Sequence, residues 1–216
     1  MGSGGDLMSE YGDMTLDEYR DALASDSPTP GGGSASAVAL SQGAALAIMV
    51  CNLTEGKEKW KDGWAAAEQT RLIAFPLLQL GHSMAARDAV AFDRVMSAYR
   101  MPKSNEQEVS LRTDAIADAT IGAYTVPMET ANHAYILLES LLELAIHGNA
   151  NAITDVGVAA LLASAACKGG IFNAEINLHS MHTEVGPALL EMKSLRERCS
   201  QVSREIMHTI HERMQS

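Results

Sequence analysis

The chain has no charged residue between Asp26 and Glu55, and the glycine-rich segment PTPGGGS at 28–34 lies at the start of this uncharged stretch. The run continues to residue 54 as mostly Ala, Ser, Gly and Leu, with two amide side chains inside it. Its length would suffice to cross a membrane. Its small and polar side chains instead favour a long central helix that neighbouring helices approach closely, inside the domain or at a dimer interface. No second span of comparable length and hydropathy is expected.

The rest of the chain carries helix signals and almost no strand signals. Aromatic residues make up only 5% of the chain, and few β-branched residues alternate with a period of two. Ala, Met and Leu, which are abundant, favour helices. The sequence predicts one all-α domain at 14–216, a helical bundle of about seven to nine helices, preceded by an unstructured or vector-derived N-terminus at 1–13. Pro127 and the pair Gly169–Gly170 are expected to interrupt or bend helices.

Charge and cysteine content limit the possible partners and compartment. The net charge of −11 at pH 7 argues against non-specific binding to nucleic acid or to an anionic membrane. Three cysteines, Cys51, Cys167 and Cys199, form no CxxC pair. They indicate buried thiols in a reducing compartment. The first thirteen residues contain no apolar segment typical of a signal peptide, so a cytoplasmic location is expected.

The segment Gly31, Gly32, Gly33 and Ser34 is the first candidate binding element. Free backbone N–H groups and the helix dipole at the start of the uncharged helix favour an anionic group, with Ser34 as the expected N-cap. The alternative is a tight loop that lets the chain pass close to a neighbour. The spacing fits neither a Walker loop nor a GxGxxG dinucleotide turn.

Asp88 is the candidate catalytic residue. It shares a helical face with Phe92 and Val95, at spacings of four and seven residues. A carboxyl on such a face is expected to be partly desolvated, which raises its pKa and suits it to proton transfer. The alternative is a structural ion pair with an arginine.

Amide-rich segments supply further candidates. Polar residues cluster at the expected start of a helix in GNANAITDVG: Asn149, Asn151, Thr154 and Asp155. They either cap that helix or line a site for a heteroaromatic ligand. Asn173 and Asn177 lie four residues apart on the following helix and would need hydrogen-bond partners if buried.

The histidines do not form a metal-binding pattern. His179 with His182, and His208 with His211, are spaced three residues apart, and neither pair lies in an HExxH motif. The sequence therefore predicts no metal site.

Six segments together resemble a known family: PTPGGGSASAVAL, DAVAF, AYRMPK, VP at 126–127, GNANAITDVGVAALLASAA and FNAEIN. They resemble the formiminotetrahydrofolate cyclodeaminase and methenyltetrahydrofolate cyclohydrolase family, from about Thr15 to the last helix. No formiminotransferase half is present, so the chain looks like the stand-alone form. The resemblance implies an all-helical homodimer with its active site near the subunit contact, and a tetrahydrofolate derivative as substrate with no further cofactor.

The resemblance also assigns site residues. Asp88 matches the family's catalytic Asp, although Arg87 stands where an acidic residue is common. The residues matching its substrate-binding positions are Gly31, Gly32, Gly33, Ser34, Lys103, Asn149, Asn151, Asp155, Asn173 and Asn177. A folate with or without a polyglutamate tail is anionic, and the candidate cations for that tail are Lys57, Lys59, Lys103 and Lys168.

The reaction implied is conversion of 5-formiminotetrahydrofolate to 5,10-methenyltetrahydrofolate and ammonia, catalysed by a cyclodeaminase. A 5,10-methenyltetrahydrofolate cyclohydrolase on the same scaffold is the alternative, because both reactions pass through a tetrahedral carbon. A helical dimer that binds folate without turnover is a second alternative.

Overall fold

The computed structural model describes residues 11–180 and 185–215. They form helices, with no strand in these two ranges, so the predicted all-α fold is confirmed. The α-helices are α1 (Leu16–Leu23), α2 (Gly32–Thr54), α3 (Trp64–Tyr99), α4 (Glu106–His147), α5 (Ile153–Leu178) and α6 (Gly186–Gln215), with short 3₁₀ helices at Glu58–Gly63 and Ala150–Ala152. Of the N-terminal segment expected to be unstructured, residues 1–10 lie outside the described ranges.

The described residues contain six α-helices where seven to nine were expected, because Pro127 and Gly169–Gly170 do not interrupt α4 and α5. A proline inside a helix leaves the carbonyl four residues earlier without its N–H donor. Here the Asn177 side-chain amide donates to that carbonyl, Ala123 O, at 2.9 Å. Gly170 lies against the same turn, where an added Cβ would be 2.5 Å from Pro127 O. The two interruptions therefore pack against each other, and both helices remain continuous.

Helix α2 lies between α3 and α5, and α4 packs against α3 and α5 beneath it. Small residues allow these close approaches. A Cβ added at Gly43 would be 3.2 Å from Ala159 O on α5, and one added at Gly81 on α3 would be 2.8 Å from Ala37 O. The prediction of a small-residue helix approached closely by its neighbours is thus confirmed. Leu residues of α4 fill the core beneath α2.

Two helical spans are long and apolar enough to cross a membrane, Gly32–Thr54 and Ala150–Leu178. The expectation that no second such span exists was wrong, since α5 continues through its glycine pair and is longer than the pattern indicated. In each span 56% of the most apolar window is buried in the bundle, as in the core helices of water-soluble proteins. The remaining exposed face of α2 contains no charged residue.

Candidate active site

The first turn of α2 is formed by glycines and lacks a side-chain cap of its own. The N-cap is Gly31, and Gly32, Gly33 and Ser34 form the first helical turn. The prediction that Ser34 is the N-cap was therefore wrong, because two of the glycines adopt helical geometry ahead of it. Ordinarily the N-cap side chain accepts an N–H of this turn, and glycine offers none.

The carboxyl group of Asp88 occupies that capping position from the neighbouring helix α3. The Ser34 backbone N–H donates to it, and Ser34 Oγ lies 3.3 Å from Asp88 Oδ2 and 3.0 Å from Ala85 O. Ser34 is completely buried. A Cβ at Gly33 would overlap the Asp88 carboxyl group. The glycine at position 33 is thus what allows a carboxyl group to reach the start of α2.

Burial raises the pKa of Asp88 above its ordinary value, and the two hydrogen bonds from Ser34 oppose that rise. The predicted direction is confirmed, although Phe92 on the predicted face is 37% exposed. Arg87 pairs with Glu129 on α4 at 2.8 Å. Among the residues described, no cation forms an ion pair with Asp88, so the ion-pair alternative is not supported.

Asn173 flanks the same turn from α5. Its Nδ2 donates to Gly169 O at 2.8 Å, and a Cβ at Gly32 would be 3.4 Å from that nitrogen. Asp88 and Asn173 therefore lie on either side of the α2 start. Asn177, one turn further along α5, donates from Nδ2 to Ala123 O and to Asn173 O. These bonds give Asn177 a structural role, and its contact with substrate stays a prediction.

The segment around Asn149 lies at the opposite end of α2. Its Nδ2 donates to Leu53 O at 2.7 Å, its N–H donates to Thr54 Oγ1, and its Oδ1 accepts the Asn151 N–H. Asp155 lies in the first turn of α5. Asn149 thus clamps the end of α2 and caps the 3₁₀ helix Ala150–Ala152. Helix α5 begins after Ala152 without a side-chain cap, so the alternative that Thr154 or Asp155 caps it was wrong.

The separation between the two ends is large. Ser34 and Thr54 are 20 residues apart in α2, which at ~1.5 Å per residue is about 30 Å. Within one protomer, Asn149, Asn151 and Asp155 therefore do not lie beside Asp88, and their binding of the same ligand stays a prediction that requires a second protomer.

The four candidate lysines are also dispersed. Lys57 and Lys59 are exposed just beyond the C-terminal end of α2, and Lys103 is exposed in the connection after α3. Lys168 is half-buried on α5, five residues before Asn173. Its neighbour Gly169 lies against Ser36 of α2, so Lys168 belongs to the Asp88 end of the molecule.

Metal ligation finds no support within 11–180 and 185–215, where no group of three or more His, Cys, Asp or Glu side chains could hold an ion. His182, one of the paired histidines, lies outside these ranges. His208 lies 3.3 Å from Glu212 on the same helix.

Comparison with known proteins gives consistent matches over most of the chain. The sequence model described as formiminotransferase-cyclodeaminase matches residues 15–201. The methenyltetrahydrofolate cyclohydrolase of Methylorubrum extorquens is 34% identical over 201 residues, which cover 92% of this chain and 97% of that protein. The formimidoyltransferase-cyclodeaminase of Rattus norvegicus is 31% identical over 177 residues. These cover 80% of this chain and only 32% of the rat protein.

A solved structure matches as well. The crystal structure of formiminotetrahydrofolate cyclodeaminase from Thermotoga maritima superposes with a TM-score of 0.75 at 28% identity, covering 93% of this chain and 98% of that one. The helical arrangement described above is therefore shared over nearly the whole length of both proteins.

Proposed function

The chain belongs to the formiminotransferase-cyclodeaminase family, and from that membership we propose that it hydrolyses 5,10-methenyltetrahydrofolate in one-carbon folate metabolism. The observation that carries the proposal is Asp88, a desolvated carboxyl with a raised pKa at the start of α2. The Methylorubrum extorquens relative, aligned over 97% of its length, is named for this activity. The cyclodeaminase reaction, which the sequence placed first, is the second candidate and is supported by the Thermotoga maritima structure.

In the hydrolysis, one carboxyl group serves as base and then as acid. Ionised Asp88 accepts a proton from water as the water oxygen bonds to the methenyl carbon, which becomes tetrahedral. The protonated Asp88 then gives that proton to one of the two folate nitrogens as its C–N bond breaks. The remaining hydroxyl proton leaves to solvent as the formyl group forms, and the carboxylate is regenerated. A pKa raised by burial favours both transfers, because the group holds the proton between them.

The same group fits the second candidate reaction. In cyclodeamination, N10 attacks the carbon of the formimino group on N5, which is protonated as an amidinium, and a tetrahedral carbon bearing an NH2 group forms. Asp88 takes the proton from N10 and delivers it to the amine, which leaves as ammonia while the methenyl bridge closes. Both reactions therefore require one mobile proton beside one carbon, and Asp88 is the group we assign to it.

The start of α2 is the proposed binding position for the folate. Its Gly32 and Gly33 N–H groups and the helix dipole favour an electron-rich edge or a carboxylate, and the Asn173 amide lies beside them. In a protein of net charge −11, an anionic glutamate tail needs a local cation. We assign that role to Lys168, which is half-buried on the same side.

An assay of both substrates tests the proposed activity. Purified protein is expected to accelerate the loss of the 5,10-methenyltetrahydrofolate chromophore well above the spontaneous rate. Release of ammonia with appearance of the chromophore from 5-formiminotetrahydrofolate would establish the cyclodeaminase instead. Folate binding in a thermal-shift measurement, with neither reaction observed, would contradict both and favour the folate-binding protein.

We further propose that the protein is a homodimer paired through α2 and α5. Both helices expose uncharged residues: Ala45 and Met49 on α2, and Val158 and Leu161 on α5. The two helices cross at Gly43, so these residues belong to neighbouring faces. An uncharged surface does not favour a charged partner. In a two-fold symmetric dimer, this surface of one protomer packs against the same surface of the other. If the paired α2 helices run antiparallel, each protomer's α5 start lies near the other's α2 start.

The dimer predicts a specific effect of Leu161→Glu. Leu161 is 55% exposed, and a carboxylate placed there would be desolvated in the proposed interface. The expected result is a particle of half the mass by light scattering, with helix content unchanged. Leu190→Glu, at a 70% exposed leucine of α6, is the matched control and is expected to remain dimeric. A Leu161→Glu protein that keeps the wild-type mass would contradict this interface.

Other proposed properties follow from composition. We propose that the protein works in the cytoplasm, with no cofactor beyond its folate substrate and no nucleic-acid or membrane partner. The three cysteines are free and buried, which suits a reducing compartment, and the acidic charge disfavours polyanions.

A further inference from the structure

Helix α1 carries Tyr19 near Asp88, a half-buried phenol whose hydroxyl oxygen is buried. The ring of Tyr19 packs edge-on against Tyr11, with ring centroids 6.1 Å apart and an angle of 71° between the planes. The Tyr19 hydroxyl is buried and has no hydrogen-bond partner among the described residues. Burial raises the pKa of Tyr19, and the neighbouring Tyr11 and Asp88 raise it further, so the phenol stays protonated near neutral pH.

Nothing in the described part of the fold accounts for that hydroxyl. A buried hydroxyl without a partner destabilises the fold, and a phenylalanine would fill the same position without that penalty. Helix α1 has eight residues and none of them is buried, so Tyr19 is not part of the main core. This role was not predicted from the sequence, because the spacing of residues within α1 does not show which helix α1 packs against.

The space beside α1 can admit a small molecule. A cleft of about 280 Å³ lies between the N-terminal segment and α3. Ala22, one turn after Tyr19, lines one side, and Ala86 and Ala89 on either side of Asp88 line the other. Neither Tyr19 nor Asp88 is among the lining residues, but the cleft lies beside both helices, and the Asp88 carboxyl is near enough to Tyr19 to raise its pKa.

We propose that the Tyr19 hydroxyl is a second polar group of the Asp88 site and hydrogen-bonds the water that attacks the methenyl carbon. This inference rests on the proposed hydrolysis. A phenol oxygen accepts a hydrogen bond while remaining protonated, and a carboxylate accepts another. With one O–H of the water directed at Asp88 and the other at Tyr19, the oxygen lone pair is left to face the carbon. The phenol neither gains nor loses a proton, so Asp88 alone carries the proton transferred.

Tyr19→Phe tests the inference, because it removes the hydroxyl and keeps the ring. We expect kcat to fall by about 10-fold to 100-fold, which corresponds to the loss of about 1.4 to 2.7 kcal/mol of transition-state stabilisation. We expect KM for 5,10-methenyltetrahydrofolate to change little, since the hydroxyl contacts the water and not the folate. The unfolding temperature should equal or exceed that of the wild type, because an unpaired buried hydroxyl has been removed. Tyr99→Phe, at an exposed phenol further along α3, is the control and should change none of these values.

The outcomes separate this inference from the proposed function. Wild-type kcat in an active Tyr19→Phe enzyme would overturn the role of Tyr19 and leave the hydrolase intact. A lower unfolding temperature in step with a lower kcat would show a structural role and would also overturn it. A wild-type protein that does not hydrolyse the methenyl substrate would overturn both.

Discussion

Asp88→Asn is expected to abolish measurable turnover while leaving the protein folded and able to bind folate. Positioned acid–base groups contribute about 10²- to 10⁴-fold to a rate, and here one group serves both proton transfers. Asparagine keeps the shape of the side chain and an oxygen that can accept the Ser34 N–H, but it cannot exchange a proton. The measurements are kcat for methenyl hydrolysis and the dissociation constant for the folate.

Asp114→Asn is the matched control, since it makes the same change of charge on an exposed part of α4. It should retain wild-type kinetics. Turnover within a few fold of the wild type in Asp88→Asn would remove Asp88 from the mechanism, whatever the outcome for Tyr19.

The same variant should differ from the wild type in its stability against pH. Burial raises the folded-state pKa of Asp88 above its unfolded value, so the folded protein binds this proton more tightly. The stability contributed by that proton is fully present below the unfolded pKa and is lost as the pH rises through the folded pKa. Asparagine cannot ionise and suffers no such loss. The unfolding temperature of Asp88→Asn should therefore exceed that of the wild type by a margin that widens as the pH rises through the folded pKa.

Local chemistry was predicted well from the sequence, and long-range compensation was not. Thr15 followed three residues later by Glu18 predicts a capping box, and that box opens α1 in the structure. The helical class follows from composition. The breaks expected at Pro127 and Gly170 are absent because a residue of the opposite helix compensates for each of them. The Asn177 amide takes the carbonyl freed by the proline, and the glycine admits the close crossing. Contacts between residues more than 40 positions apart cannot be predicted from the pattern of residues within one helix.

The site was predicted only in part for a related reason. Sequence motifs give residue types and spacing, and they predicted that Asp88 has a raised pKa. Motif spacing does not show whether a motif packs against the first or the last turn of the 23-residue helix α2. Asn149 binds the last turn of α2 and Asp88 the first, so two motifs assigned to one ligand lie about 30 Å apart in one chain. The role of Tyr19 was not predicted because it depends on how the segment between α1 and α2 places α1 against the bundle.

Gly33→Ala is expected to abolish turnover nearly as completely as Asp88→Asn. The added methyl group would occupy the position of the Asp88 carboxyl, which must swing away and lose both hydrogen bonds from Ser34. Alanine favours helices over glycine by up to about 1 kcal/mol, so backbone propensity predicts the opposite effect. Because the carboxyl can move, we expect a modest destabilisation, about 1–3 kcal/mol in denaturant unfolding. Gly32→Ala is the neighbouring control, with Asn173 at an ordinary contact distance of 3.4 Å, and should be as stable as the wild type.

A double-mutant cycle identifies the carboxyl as the cause. If Gly33→Ala destabilises the protein through the Asp88 side chain, then adding Asp88→Ala removes the obstacle, and the double variant should recover the stability of Asp88→Ala alone. The two substitutions would then show a coupling energy of about 1–3 kcal/mol. Turnover should stay absent in the double variant, because no carboxyl remains to carry the proton. Additive effects on stability would contradict the contact between Gly33 and Asp88. Recovered stability without recovered turnover would show that the glycine at the start of α2 is needed to make room for the catalytic carboxyl.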